Sequence, residues 1–287
     1  MKVPKRIQPL VDDGLVNEVI SQLMSGKEAQ VYIVRCGDTL RCAKVYKEAS
    51  KRSFKQAAQY QEGRKERNSR RARAMSKRTR YGQKEQEASW LSAEVDALYK
   101  LAAAGVRVPQ PHGFVDGVLL MDMITDAEGD VAPQLGEVEL TPEQARAYHQ
   151  QMMTEVVRML CAGLVHGDLS EFNVLVDEHG PVIIDLPQAV NAASNNSAGA
   201  MLERDVENMT RYFGRFAPEL LTTDYGKEIW ELYEHGDLYP DSKLTGQFDR
   251  PLENADVDTV MEVIEHARQE EEERRLREIA ANDPDDY

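Results

Sequence analysis

Three times in this chain, two short β-prone runs face each other across a tight polar turn, and long helical patterns stand between and after them. VYIVRC and TLRCAKVY flank Gly37-Asp38, HGFV and VLLMDM flank Asp116-Gly117, and NVLV and PVIID flank the turn DEHG at 177–180. Two-residue Gly-Asp and Asp-Gly connections are strong short-range hairpin signals, so the strands are expected to pair locally and antiparallel. Between the second and third hairpins, Thr141-Pro142-Glu143-Gln144 has the form of a helix start, with a Thr cap, Pro at the first position and Gln at the capping-box position. That helix carries Tyr148, Met152, Val156 and Met159 inward and stops near Gly163. An earlier helix begins near Trp90, with Leu91, Val95, Leu98 and Ala102 at helical spacing and Gly105 as its stop. A later one covers Arg204 to Phe216. Strands with one helix, followed by mostly helices, predict an α+β, two-lobed chain with a cleft between the lobes. The expected parts are a short helical lead-in (1–22), a small N-terminal lobe (23–124), a mainly helical C-terminal lobe (125–267, acidic and loop-like from Asp126 to Glu139) and a charged tail (268–287).

The length of 287 residues and a 41% hydrophobic share suffice for a sizeable core. No run of about 18 apolar residues predicts a membrane span, and the opening MKVPKRIQPLVDDG does not read as a secretory signal. Cys36, Cys42 and Cys161 are too few and too scattered for a disulfide framework or a zinc site, which points to reduced thiols in a cytoplasm. The net charge of −15 conceals an uneven spread. From Lys47 to Lys84 there are 14 Lys and Arg against three acidic residues, a local charge of +11. This segment has few large apolar residues and is expected to form a loop. It reads either as a solvated charge run or as a surface for RNA phosphates, with Arg71, Arg73, Arg78 and Arg80 clustered and Tyr81 as a stacking ring.

The residues that carry chemistry are His166-Gly167-Asp168-Leu169-Ser170-Glu171-Phe172-Asn173, with Val182-Ile183-Ile184-Asp185 following. Phosphoryl transfer needs a carboxylate near the attacking hydroxyl and oxygen ligands for the metal that bridges the phosphates. Asp168 suits the first role, and Asn173 and Asp185 suit the second. The pattern follows the kinase catalytic loop H-R-D-L-x-x-x-N with Gly167 in place of Arg. Lys44, on the strand RCAKVY, is placed to contact α- and β-phosphates and to pair with a helix glutamate, for which Glu94 is the natural partner. Cys42 shares the face of Lys44, either over an adenine or simply in the core. The Ser25-Gly26-Lys27 turn is placed to aim backbone N–H groups at phosphates. Ala217-Pro218-Glu219 spells the end of an ordinary kinase activation segment, but Val206, Met209, Phe213 and Phe216 at helical spacing fill the interval, so the match is read as coincidence.

SGKEAQVY (25–32), AKVYK (43–47), HGDLSEFN (166–173) and IIDLPQAV (183–190) together resemble the RIO family of atypical serine kinases, over roughly residues 20 to 220. The chain looks closer to the first subfamily, since about 24 residues precede Ser25, and to a bacterial-type member. The resemblance implies a bilobal protein-kinase-like fold, ATP with Mg2+ or Mn2+, and serine autophosphorylation, with Ser53, Ser69 and Ser76 as candidate acceptors. It implies a catalytic role for Asp168 and Asp185, the latter accepting the phosphoryl group during ATP hydrolysis in some members. It makes Asn173 and Asp185 metal ligands and Ser25, Gly26, Lys27, Lys44, Glu94, Met121 and Met123 the nucleotide-contacting set. RIO relatives act on small-subunit ribosome precursors, which makes RNA or ribosome contact through 47–84 an expectation. Two other readings are a small-molecule phosphotransferase resembling aminoglycoside or choline kinases, and a nucleotide-gated RNA- or ribosome-binding module whose turnover is mainly ATP hydrolysis.

Overall fold

In the computed structural model, which describes residues 3–26, 29–47 and 93–248, a five-stranded antiparallel sheet precedes a mainly helical half. The sheet holds β1 (Glu18–Ser25), β2 (Ala29–Cys36), β3 (Thr39–Tyr46), β4 (Pro111–Val115) and β5 (Val118–Asp122) in the order β1-β2-β3-β5-β4. The two sharp turns are where the sequence put them: Cys36 faces Thr39 and Val115 faces Val118. At the second, Asp116 and Gly117 both have positive φ, 49° and 76°, the backbone that a type I′ hairpin turn requires.

Period two along β3 decides what each face does. Ala43 and Val45 pack with Ile7, Leu10 and Val16 on the outer face, where the short helix α1 (Gln8–Asp12) lies. Lys44 and Tyr46 point the opposite way, and Tyr46 packs with Val95 and Leu98 of helix α2 (residues 93–103). The sheet therefore separates an outer apolar patch from an inner face that carries the one lysine.

Helix α3 (Pro142–Cys161) starts on the expected capping box: Gln144 N–H donates to Thr141 Oγ1 at 3.2 Å, and Thr141 N–H donates to Gln144 Oε1 at 3.0 Å. Met152, Val156 and Met159 are buried, as the period requires, and Tyr148 packs partly buried against the same core. Two short ladders follow, β6 (Leu164–Val165) with β9 (Val190–Asn191) and β7 (Val174–Asp177) with β8 (Gly180–Ile183). Helices α4 (Ala198–Phe213) and α5 (Tyr225–His235) complete the half, and the described residues to Gln247 form one compact unit.

Three expectations need correction. Among its described residues the lead-in is helical only over Gln8–Asp12, and β1, from Glu18, is an edge strand of the sheet. Helix α4 begins at Ala198 and ends at Phe213, earlier at both ends than Arg204 to Phe216; Gly214 caps it, and Phe216 packs beyond its end. Within the acidic stretch from Asp126 to Glu139, a bridge joins Thr125 to Val131, and Leu135–Glu137 forms a 3-10 turn closed by its own capping box. Trp90, Leu91 and the segments 48–84 and 268–287 lie outside the described residues. All three cysteines are free thiols, and among the described residues no helix is long and apolar enough to cross a membrane.

Candidate active site

The site is assembled from β3, α2 and the loops that flank the β7–β8 hairpin. Lys44 Nζ lies 2.6 Å from Glu94 Oε1 on α2 and 2.8 Å from Asp185 Oδ1 just after β8. Glu94 is buried and the lysine mostly so, with side-chain exposures of 5% and 13%, whereas the Asp185 side chain is 49% exposed at the cleft. Burial disfavours the lysine's charge, but the two carboxylates outweigh it, and its pKa is held well above the usual lysine value. Burial likewise pushes Asp185 up, and the ammonium of Lys44 overrides this and holds its carboxyl below the usual range. These three residues, with Met121 and Leu119 of β5 and Leu98 of α2, line a cleft that opens to solvent.

The catalytic-loop candidates are tied from below. Asp205 of α4 is buried and accepts the N–H groups of Gly167 (2.7 Å) and Leu169 (2.9 Å), one on each side of Asp168. Asn208 Nδ2 donates to Leu169 O at 3.1 Å, and Arg204 donates to the Gly167 carbonyl. His166 is buried, and its two nitrogens have fixed roles: Nδ1 accepts the Asp168 N–H at 3.3 Å, and Nε2 donates to Ile184 O at 3.1 Å. Gly167 sits at φ 81°, a left-handed conformation open to glycine at little cost, which gives a physical reason for Gly where ordinary kinases have Arg. Asp185 itself has φ 63°, a region in which Asp is one of the few tolerated side chains.

Asn173 Nδ2 donates to Asp168 O at 2.7 Å, and Ile184 N–H donates to Asn173 O at 2.9 Å, so the hairpin does return residue 185 beside 173. The Asp168 pKa is raised, chiefly by desolvation, with the Asp185 charge adding to it, so the two carboxylates sense one another. The amide oxygen of Asn173 and the carboxylate of Asp185 form a hard-oxygen donor pair. Oxygen donors of this kind are what a hard divalent cation takes, and among the described residues no group of three or more His, Cys, Asp or Glu side chains could hold a metal ion.

Several expected residues stand elsewhere. Met123 does not line the cleft: β5 ends at Asp122, so the alternation that turns Met121 inward lapses one residue before it. Ser25 and Gly26 are exposed at the tip of the β1–β2 hairpin, and the Gly26 N–H is used by Ala29 O at 2.9 Å rather than offered outward. Lys27 lies outside the described residues. Cys42 is a core residue, 6% exposed and off the cleft, and burial pushes its thiol up to about 11. Glu219 of the A-P-E triplet lies in a 3-10 turn and pairs with Arg146 of α3 at 2.5 Å, far from the role the triplet spells. Asp205 and Gln188, whose Nε2 donates to Asp168 Oδ2 at 2.8 Å, went unnoticed in the sequence. Asp205 carries one available signal: it stands on the apolar face of α4, one residue from Val206, where an acidic side chain needs a partner.

The sequence profile of the RIO domain matches residues 30–226, more than two thirds of the chain. The chain belongs to the RIO family. Its relatives include the RIO-type serine/threonine-protein kinase Rio1 of Haloferax volcanii, 32% identical over 211 residues that cover 73% of this chain and 68% of that one. Serine/threonine-protein kinase RIO1 of Homo sapiens is 30% identical over 226 residues, 76% of this chain and 36% of that protein. The RIO-type serine/threonine-protein kinase Rio2 of Methanocaldococcus jannaschii is 27% identical over 219 residues, 73% of each chain. The chain thus spans about two thirds of the archaeal relatives and just over a third of the human one. The α+β arrangement, sheet first and helices after, is the fold class expected from the sequence.

Proposed function

We propose that this protein is an ATP-dependent serine/threonine-protein kinase of the RIO type, transferring the γ-phosphoryl group of ATP to serine, its own serines included, with ATP hydrolysis as the competing outcome. The observation that carries the reading is the Lys44 ammonium seated between Glu94 and Asp185 on the cleft, with Asp168 on the adjoining loop. In this reading Lys44 neutralises α- and β-phosphate oxygens, and Glu94 fixes the lysine. Asp168 positions the acceptor hydroxyl and takes up its proton, and Asp185 with Asn173 holds the metal. A bound Mg2+ or Mn2+ would supply neutralisation of phosphate charge. The family membership and the names of the relatives favour a protein acceptor over an aminoglycoside or amino alcohol. The basic segment from Lys47 to Lys84 has the composition of an RNA-backbone contact, for which salt-sensitive RNA binding lost on neutralising residues 64 to 80 is the diagnostic.

The deciding experiment incubates the protein with labelled ATP and Mg2+ or Mn2+, maps labelled residues and measures free phosphate. Phosphoserine or phosphate release that falls about 10²–10⁴-fold in Asp168→Ala supports the reading. Turnover at the wild-type rate in that variant removes Asp168 from the chemistry.

A further inference from the structure

A carboxylate that positions a hydroxyl and receives its proton needs a fixed orientation and one oxygen left open. Asp168 is exposed at the loop surface, where a short side chain would otherwise rotate. Its Oδ2 is engaged by the side-chain amide of Gln188 at 2.8 Å. The contact is built into the backbone. Leu186 and Pro187 are buried, Ala189 N–H donates to Leu186 O at 3.1 Å, and Val190 then pairs with Val165, three residues before Asp168. Asp168 and Gln188 thus diverge from the same two-stranded ladder and meet again within hydrogen-bond reach. An amide suits this place better than a cation, because it donates a directed hydrogen bond without adding a charge that would compete for the carboxylate.

We infer that Gln188 is a positioning residue for phosphoryl transfer: its amide fixes the Asp168 carboxylate through Oδ2 and leaves Oδ1 to receive the acceptor hydroxyl. The inference rests on the proposed function and adds to it a residue outside the catalytic-loop, metal and lysine set.

The test compares wild type, Gln188→Ala, Gln188→Glu, Asp168→Ala and the double variant Asp168→Ala/Gln188→Ala. It measures phosphate release and serine labelling at saturating ATP and Mg2+, the KM for ATP, and thermal unfolding. Gln188→Ala is expected to lower kcat about 10–100-fold with the KM for ATP nearly unchanged. Gln188→Glu keeps the length but has no donor, and is expected to lose at least as much; it carries the test if the alanine variant does not fold. In the Asp168→Ala background, loss of Gln188 should have no further effect, because its action passes through the missing carboxylate. Three results would overturn the inference: wild-type kcat in both single variants, a rise in kcat (which would make the amide a block), or an equal loss with and without Asp168. If wild type shows no turnover that depends on Asp168, the proposed function fails instead, and the two failures are told apart by that control.

Discussion

At the scale of single residues, the site depends on one buried cation having two acidic partners of unequal burial. Glu94 is almost fully enclosed and Asp185 half-open, so removing the lysine strands the first and merely hydrates the second. Lys44→Ala is therefore expected to weaken ATP binding and to cost roughly 3 kcal/mol of stability, the range for leaving a buried charge without its partner. Lys44→Met with Glu94→Leu should recover most of that stability while ATP binding stays weakened, since an apolar pair of similar volume is often as stable as the ion pair it replaces. Denaturant unfolding beside ATP titration calorimetry separates the two effects, and a double variant no more stable than Lys44→Ala would sink the account. Lys44, Glu94, Asp168, Asn173 and Asp185 could be named from the sequence because charged or turn-forming types stood at fixed spacing beside strand patterns. Gln188 and Asp205 could not: each acts through a tertiary contact with residues 20 or more positions away, and although an acid on the apolar face of α4 signals a partner, nothing local says which.

At the scale of elements, tight turns and capping boxes were legible because their signals are local, and that accounts for the β2–β3 and β4–β5 hairpins and the start of α3. Strand β1 was not legible. It lies at the edge of the sheet, Leu23 and Met24 are 40% and 49% exposed, and its pairing is broken by two register shifts, so no clean alternation marks it. The start of α4 was missed for a related reason: Ser197 makes no side-chain cap, and the first turn has no acidic residue. Where α3, α4 and α5 meet, His149 is enclosed with Thr210 Oγ1 2.9 Å away and the rings of Phe213 and Tyr225 at 5.7 and 5.4 Å. Burial lowers its pKa from 6.5 to about 4. Between these values the unfolded chain binds the proton and the folded chain does not. Its contribution is therefore complete above pH 6.5 and is lost as the pH falls toward 4, by about 3 kcal/mol. His149→Leu should remove that part of the acid sensitivity. Urea unfolding of both proteins at pH 7, 5.5 and 4.5 reads it out, and parallel slopes would show that His149 is not the group responsible.

At the scale of the whole molecule, the sheet and the helical half must be held at a fixed distance if Lys44, on one, is to meet Asp185, on the other. Much of that fastening falls on Arg107, in the connection between α2 and β4. Its backbone N–H donates to Glu155 Oε2 of α3 at 2.8 Å, and its carbonyl accepts from Ile183 N–H of β8 at 2.9 Å. Its guanidinium takes Asp177 at the end of β7 in a two-pronged pair, 2.7 and 2.6 Å, and donates to His179 O at 3.0 Å. The pair is mostly buried, 28% and 18% exposed, so solvent screens it only in part. Arg107→Ala keeps both backbone bonds and removes the side-chain clamp, leaving Asp177 without its cation. The expected loss is about 2–4 kcal/mol. Because Asn173 stands just before β7 and Asp185 just after β8, a loosened hairpin should also displace both metal-ligand candidates and raise the KM for ATP more than it lowers kcat. Amide hydrogen exchange over residues 174–183 is the direct readout: exchange there should quicken in Arg107→Ala while α3 stays protected. Unchanged protection of the hairpin would show that β7 and β8 hold their place by apolar packing alone, and that the alignment of Lys44 with Asp185 owes nothing to the arginine.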